Sequence, residues 1–119
     1  MLKNLHTVAE TATYLRDADR QGLSDEARRE IVDSVSLSPN QGDEIRGSGG
    51  LRKIRVAGRG KGKSGGYRAL IAYLGAELPV YLIALLSKGE RANFSAAEIA
   101  AFKKLVGEIR QAWQERTKR

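Results

Sequence analysis

The chain has 119 residues, 41% of them hydrophobic and 29% charged, with no cysteine and a single histidine. That length suits one domain over residues 1–119 with one continuous core, and the composition excludes a disulfide framework, thiolate metal sites, a cysteine nucleophile and a multi-histidine metal centre. The net charge is +7, unevenly distributed: residues 1–45 carry 5 Lys+Arg against 9 Asp+Glu, residues 46–91 carry 10 against 2, and residues 92–119 carry 6 against 3.

No apolar h-region of a signal peptide opens the chain. The longest apolar run, Leu78–Leu86, is broken by Pro79 and is too short to cross a bilayer. These features point to a soluble, cytoplasmic domain without a membrane partner. From Arg52 to Arg68 there are seven cations and no carboxylate, a field that attracts polyanions, nucleic acid first among them. The same cations do not line one face of an amphipathic helix, which argues against a membrane surface.

A first helix is expected from Thr7, where Thr7-Val8-Ala9-Glu10 fits a capping box, and Val8, Ala12 and Leu15 follow at helical spacing. Leu2–His6 is a candidate edge strand. A second helix is expected after Ser24, with Asp25 and Glu26 suited to the first turn and Pro39 as the stop. Residues 52–56 then alternate: Ile54 and Val56 point one way, Lys53 and Arg55 the other, as in a half-buried strand with cations on an open face. Tyr67–Leu74 and Val80–Ser87 read as an antiparallel hairpin. Between them and the first strand, Ala57–Gly66 holds five glycines and reads as an irregular loop. Ser95-Ala96-Ala97-Glu98 is a second capping box, opening a final helix with Ile99, Phe102, Val106, Ile109 and Trp113 on its packing face. Helix, helix, strands and helix make an α+β domain with a small antiparallel sheet.

The stretch 57–64 satisfies a relaxed P-loop pattern. Gly65-Gly66 breaks the helix such a loop must open, and no strand ends in a magnesium-binding aspartate, so nucleotide hydrolysis is disfavoured. The basic glycine-rich loop instead offers backbone N–H groups and the charges of Arg59, Lys61 and Lys63 to phosphates. Glu10, Asp17, Asp25, Glu26, Glu30 and Asp33 are expected on helix surfaces, and His6 at the surface. No convergent carboxylates suggest a metal centre, so any nucleic-acid cleavage is expected to need neither metal nor cofactor.

Three segments, GSGGLRKIRV (47–56), GKGKSGGYR (60–68) and YLIALLSK (81–88), together resemble the RelE/HigB family of toxins from bacterial type II toxin–antitoxin systems, in particular the HigB-like branch of the RelE/ParE superfamily. The resemblance covers nearly the whole chain. It implies a microbial ribonuclease-like domain, a ribosome-dependent, metal-independent endoribonuclease (mRNA interferase) that inhibits translation. Its implied partners are the ribosome, mRNA and a co-encoded antitoxin of helix-turn-helix type. Carried over by position, Lys53, Arg55, Arg68 and Lys88 are the catalytic candidates, with Arg52, Arg59, Lys61, Lys63 and Tyr67 binding RNA. Arg55 and Arg68 would hold transition-state charge, and Lys53 would transfer a proton, which a permanently charged guanidinium does poorly. Two departures from the best-known RelE pattern are Arg55, where that pattern has lysine, and Gly89, where it has arginine. Two alternatives stand beside this reading: a ParE-like DNA gyrase inhibitor on the same fold, and a non-catalytic RNA- or ribosome-binding module.

Overall fold

A computed structural model describes residues 5–58 and 62–117. Its elements in chain order are β1 (Val8–Glu10), α1 (Ala12–Arg20), α2 (Asp25–Leu37), β2 (Asp43–Glu44), β3 (Leu51–Gly58), β4 (Gly62–Ala72), β5 (Val80–Ser87) and α3 (Ala96–Thr117). Among the described residues these strands form one sheet of order β1-β5-β4-β3-β2, antiparallel from β2 to β5 with β1 added in parallel to β5. The α+β class is as expected, and the parallel edge strand is an addition to it. No helix among the described residues is long and apolar enough to cross a membrane.

The N-terminal expectation is corrected. Val8–Glu10 is strand, not helix, because it pairs with Val80–Leu82. The helix begins one turn later, capped by Thr11, whose hydroxyl accepts from the Tyr14 N–H. The same hydroxyl lies 2.9 Å from the Leu82 carbonyl, so the cap also pins α1 to β5. Leu2–Asn4 of the candidate edge strand lie outside the described residues. At α2 the cap is Ser24, which accepts from the Ala27 N–H, and the helix ends at Leu37, ahead of Pro39. The glycine-rich stretch is also corrected: β3 runs on to Gly58 and β4 starts at Gly62, with Gly58 paired to Gly62.

Two apolar layers sandwich the sheet. Tyr14 and Ala18 of α1 and Ile31 and Val35 of α2 pack on Ile54, Ala69, Ile71 and Leu82. On the other face Phe94 and Val106 join Leu51, Leu70, Ile83 and Leu86, with Ile99, Phe102 and Ile109 packed against them. A register shift between β4 and β5 makes this possible. Leu70 pairs with Ala84 and Ile71 with Leu82, so the bulged Ile83 and Ala84 both serve the α3 side. Trp113 donates from Nε1 to the Tyr81 hydroxyl at 2.8 Å, which fastens the end of α3 to β5.

Candidate nucleic-acid interface

Alternation along β3 sends Ile54 and Val56 to the α1–α2 layer, and Leu51, Lys53 and Arg55 to the α3 side. On β4, Tyr67, Ala69 and Ile71 belong to the first layer, which leaves Arg68, Leu70 and Ala72 facing α3. The antiparallel register sets Arg55 directly opposite Arg68 and Lys53 opposite Leu70. Arg68 in turn faces Leu86 of β5. Past the end of β5 the Lys88 N–H donates to the Gly66 carbonyl at 3.2 Å. This extends the register by one step and brings Lys88 diagonally beside Arg68.

Lys53, Arg55, Arg68 and Lys88 thus share one face. That face is not open along its length, as the sequence had suggested: Leu51, Leu70 and Leu86 on it are buried under α3. Lys53 and Arg68 are half-buried at the margin of this apolar patch, while Arg55 and Lys88 are exposed. The cations therefore line the border between a dry surface and water, where a bound anion is poorly screened.

Among the described residues none of these four cations makes an ion pair, and the Arg68 Nε is buried without an acceptor. Other arginines are committed. Arg28 pairs with Glu10, and Arg20 with Asp17 and Glu90. Arg110 donates to the Gly49 carbonyl at 2.7 Å. Arg52 donates from Nε to the Gln41 carbonyl at 3.0 Å and from Nη2 to the Gly42 carbonyl at 2.9 Å, and lies 3.8 Å from Glu44. So the structure gives Arg52 a fastening role at β2, and it puts Tyr67 on the opposite face from Arg68. Lys63 lies on β4; Arg59 and Lys61 lie outside the described residues.

Sequence reasoning missed the braces of the turn that carries Lys88. The Glu90 carboxylate accepts from Gln21 Nε2 at 3.0 Å and lies 3.8 Å from Arg20, tying the turn to α1. Arg91 grips Glu98 through two hydrogen bonds of 2.5 and 2.6 Å, tying it to α3. Glu98 closes the expected capping box as well, accepting from the Ser95 N–H at 2.7 Å while its own N–H donates to Ser95 Oγ. Arg91, foremost, pulls the Glu98 carboxyl down to about 2. The capping box was visible as a local pattern. The Arg91 and Glu90 contacts depend on how the turn folds back.

A mixed sheet lies between two helices and a third, and one of its faces carries four cations that have no ion pair among the described residues. A family model, the RelE toxin of the RelE/RelB toxin–antitoxin system, matches residues 6–119. The chain belongs to this toxin family, whose members are paired with an antitoxin. Among solved structures it is similar to the E. coli toxin RelE, a double mutant in the free state. The TM-score is 0.49 with 19% sequence identity, over 68% of this chain and 81% of that one.

Proposed function

We propose that the chain is a ribosome-dependent mRNA endonuclease that needs no metal and halts translation. The observation that carries this reading is the cross-strand pair Arg55–Arg68, without an ion pair among the described residues and flanked by Lys53 and Lys88 on one face. In the reaction the RNA 2′-oxygen bonds to the adjacent phosphorus and the P–O5′ bond breaks. The 2′-hydroxyl loses its proton and the departing 5′-oxygen gains one, leaving a 2′,3′-cyclic phosphate and a 5′-hydroxyl. The nucleophile belongs to the substrate, so the protein's task is to position the phosphate and neutralise the charge that gathers on it. Arg55 and Arg68 bind the equatorial oxygens as forked donors. Lys53, the amine nearest them along β3, moves the proton, and Lys88 adds charge from the turn. Arg59, Lys61 and Lys63 hold the flanking RNA.

Primer extension on mRNA from a purified translation reaction tests this, with and without ribosomes. New 5′ ends are expected only with translating ribosomes, and about 10²–10³-fold fewer with Arg68→Ala. Intact mRNA beside folded protein and working ribosomes would refute it, and a supercoiling assay would then test the gyrase alternative.

A further inference from the structure

The turn that carries Lys88 is tight within itself. The Glu90 N–H donates to the Ser87 carbonyl at 3.0 Å and the Gly89 N–H to Ser87 Oγ at 3.2 Å, which makes Lys88 and Gly89 the central residues of a four-residue turn. Lys88, Gly89 and Glu90 are all exposed. One main-chain bond, from the Lys88 N–H to the Gly66 carbonyl, links the tip of the turn to β4. Such a turn keeps its shape, yet pivots about the end of β5 unless its far arm is held.

That arm is held from α1. β1 pairs with β5 only as far as Leu82, and beyond it the Leu85 N–H donates to Asp17 Oδ2 at 3.0 Å. A helix side chain takes the place of a strand partner and fixes α1 to β5 near the helix C-terminus. Arg20 lies less than one helical turn on, with Nη2 3.4 Å from Asp17 Oδ1 and 3.8 Å from Glu90 Oε2. Gln21, the C-cap of α1, donates from Nε2 to Glu90 Oε1 at 3.0 Å. Both carboxylate oxygens of Glu90 are thus engaged from one anchored helix end.

Charge alone makes Glu90 costly where it stands. Residues 46–91 contain two carboxylates, Glu77 and Glu90, and Glu90 lies two positions from Lys88. A bare carboxylate there repels a polynucleotide. Arg20 and Gln21 offset that repulsion and turn the group toward α1, whose layer lies on the side of the sheet away from Arg68. A carboxylate that weakens attraction for RNA, yet is gripped by two side chains, is explained by geometry and not by affinity.

We propose that Glu90 is a positioning residue for RNA cleavage. Anchored to α1 through Arg20 and Gln21, it fixes the turn so that the Lys88 ammonium reaches the phosphate held by Arg55 and Arg68. The proposal rests on the nuclease reading above, and Glu90 acts through Lys88 alone.

Primer extension would give kcat and KM for programmed ribosomes in the parent, Glu90→Ala, Lys88→Ala and the double variant. Glu90→Ala is expected to lower kcat about tenfold, because the ammonium no longer tracks the transition state. It is expected to lower KM about two- to threefold as well, because a negative charge has left the RNA face. Glu90→Gln, which keeps an acceptor for Gln21, should fall between Glu90→Ala and the parent in kcat. In the Lys88→Ala background, Glu90→Ala should change kcat by less than about twofold. Amide hydrogen exchange on the same proteins should show the Lys88 N–H opening about fivefold faster in Glu90→Ala, with the buried Leu70 amide unchanged. A parental kcat in Glu90→Ala, a raised KM with kcat unchanged, or an equal loss of kcat in the Lys88→Ala background would overturn the proposal. If the parent itself leaves mRNA intact, the nuclease reading falls, and the Lys88 amide decides the rest. Parental exchange in Glu90→Ala then overturns the positioning, and faster exchange keeps Glu90 as the residue that places Lys88.

Discussion

Arg55 and Arg68 stand directly opposite each other across the β3–β4 ladder, two cations in a cross-strand pair. Such partners have Cβ atoms about 4.5–5.5 Å apart, where like charges cost up to about 1 kcal/mol. The arrangement is poor for stability and suited to an anion that both guanidinium groups can grip. Removing one charge should therefore separate the two properties. Arg55→Gln and Arg68→Gln are each expected to raise the thermal midpoint by about 1–4 °C while lowering RNA cleavage about 10²–10³-fold. Calorimetry and primer extension on the same preparations check this. Variants that lose both stability and cleavage would mark the pair as structural.

Arg52 and Lys53 are adjacent in sequence and lie on opposite faces of β3. Arg52 is bonded to two backbone carbonyls that hold β2 against β3, so Arg52→Ala is expected to cost about 1–3 kcal/mol in urea unfolding. Cleavage per folded molecule should stay near the parental value. Lys53→Met keeps the apolar stem at the margin of the α3 layer, and is expected to lose cleavage with stability within about 0.5 kcal/mol of the parent. A reversed pattern would exchange the two roles.

That contrast also marks what the sequence could disclose. Period-two alternation put Lys53 and Arg55 on one face, and the structure agrees. It could not show that Leu51 on the same face is buried under α3, because that contact joins segments about fifty residues apart. The caps at Ser24 and Ser95 were legible because each is closed within three residues. Thr7–Glu10 imitates such a cap, yet its backbone is taken by Val80–Leu82, and long-range pairing overrides the local signal. Gly58 and Gly62 read as loop because glycine has little strand preference, although they continue the ladder that already joins Val56 to Tyr67.

Tyr14 is fully buried between α1 and the sheet, and its hydroxyl has no hydrogen-bond partner among the described residues. Burial, reinforced by Glu10 and opposed by Arg28, pushes its pKa from 10.0 up to about 12. The neutral phenol is the form the fold accepts, so its contribution is intact below pH 10. It is lost as pH rises toward 12, where the unfolded chain has already released the proton. Tyr14→Phe removes both the unpaired hydroxyl and the titration. Its expected effect at pH 7 is a gain of up to about 1 kcal/mol, and between pH 10 and 12 its unfolding midpoint should fall less steeply than the parent's. A loss of stability at pH 7 would mean that the hydroxyl is satisfied in solution.

At the acid end the informative group is Glu98. Its carboxylate receives the Arg91 fork and the Ser95 N–H, and its pKa falls from 4.5 to about 2, the Arg91 hydrogen bonds contributing most. A carboxyl held below its unfolded value binds fewer protons when folded. The stabilisation is therefore complete above about pH 4.5 and disappears as pH falls toward 2. Glu98→Gln preserves an acceptor for the Ser95 N–H but cannot titrate or pair with Arg91. The parent is expected to exceed this variant in urea midpoint at pH 6, by an amount nearer a surface pair than a buried one, and the two should converge by about pH 2. Convergence of the curves would show that the carboxylate, rather than the shape of the side chain, braces the turn bearing Lys88. A constant difference from pH 6 to pH 2 would assign the effect to packing and leave the Arg91 fork without energetic weight.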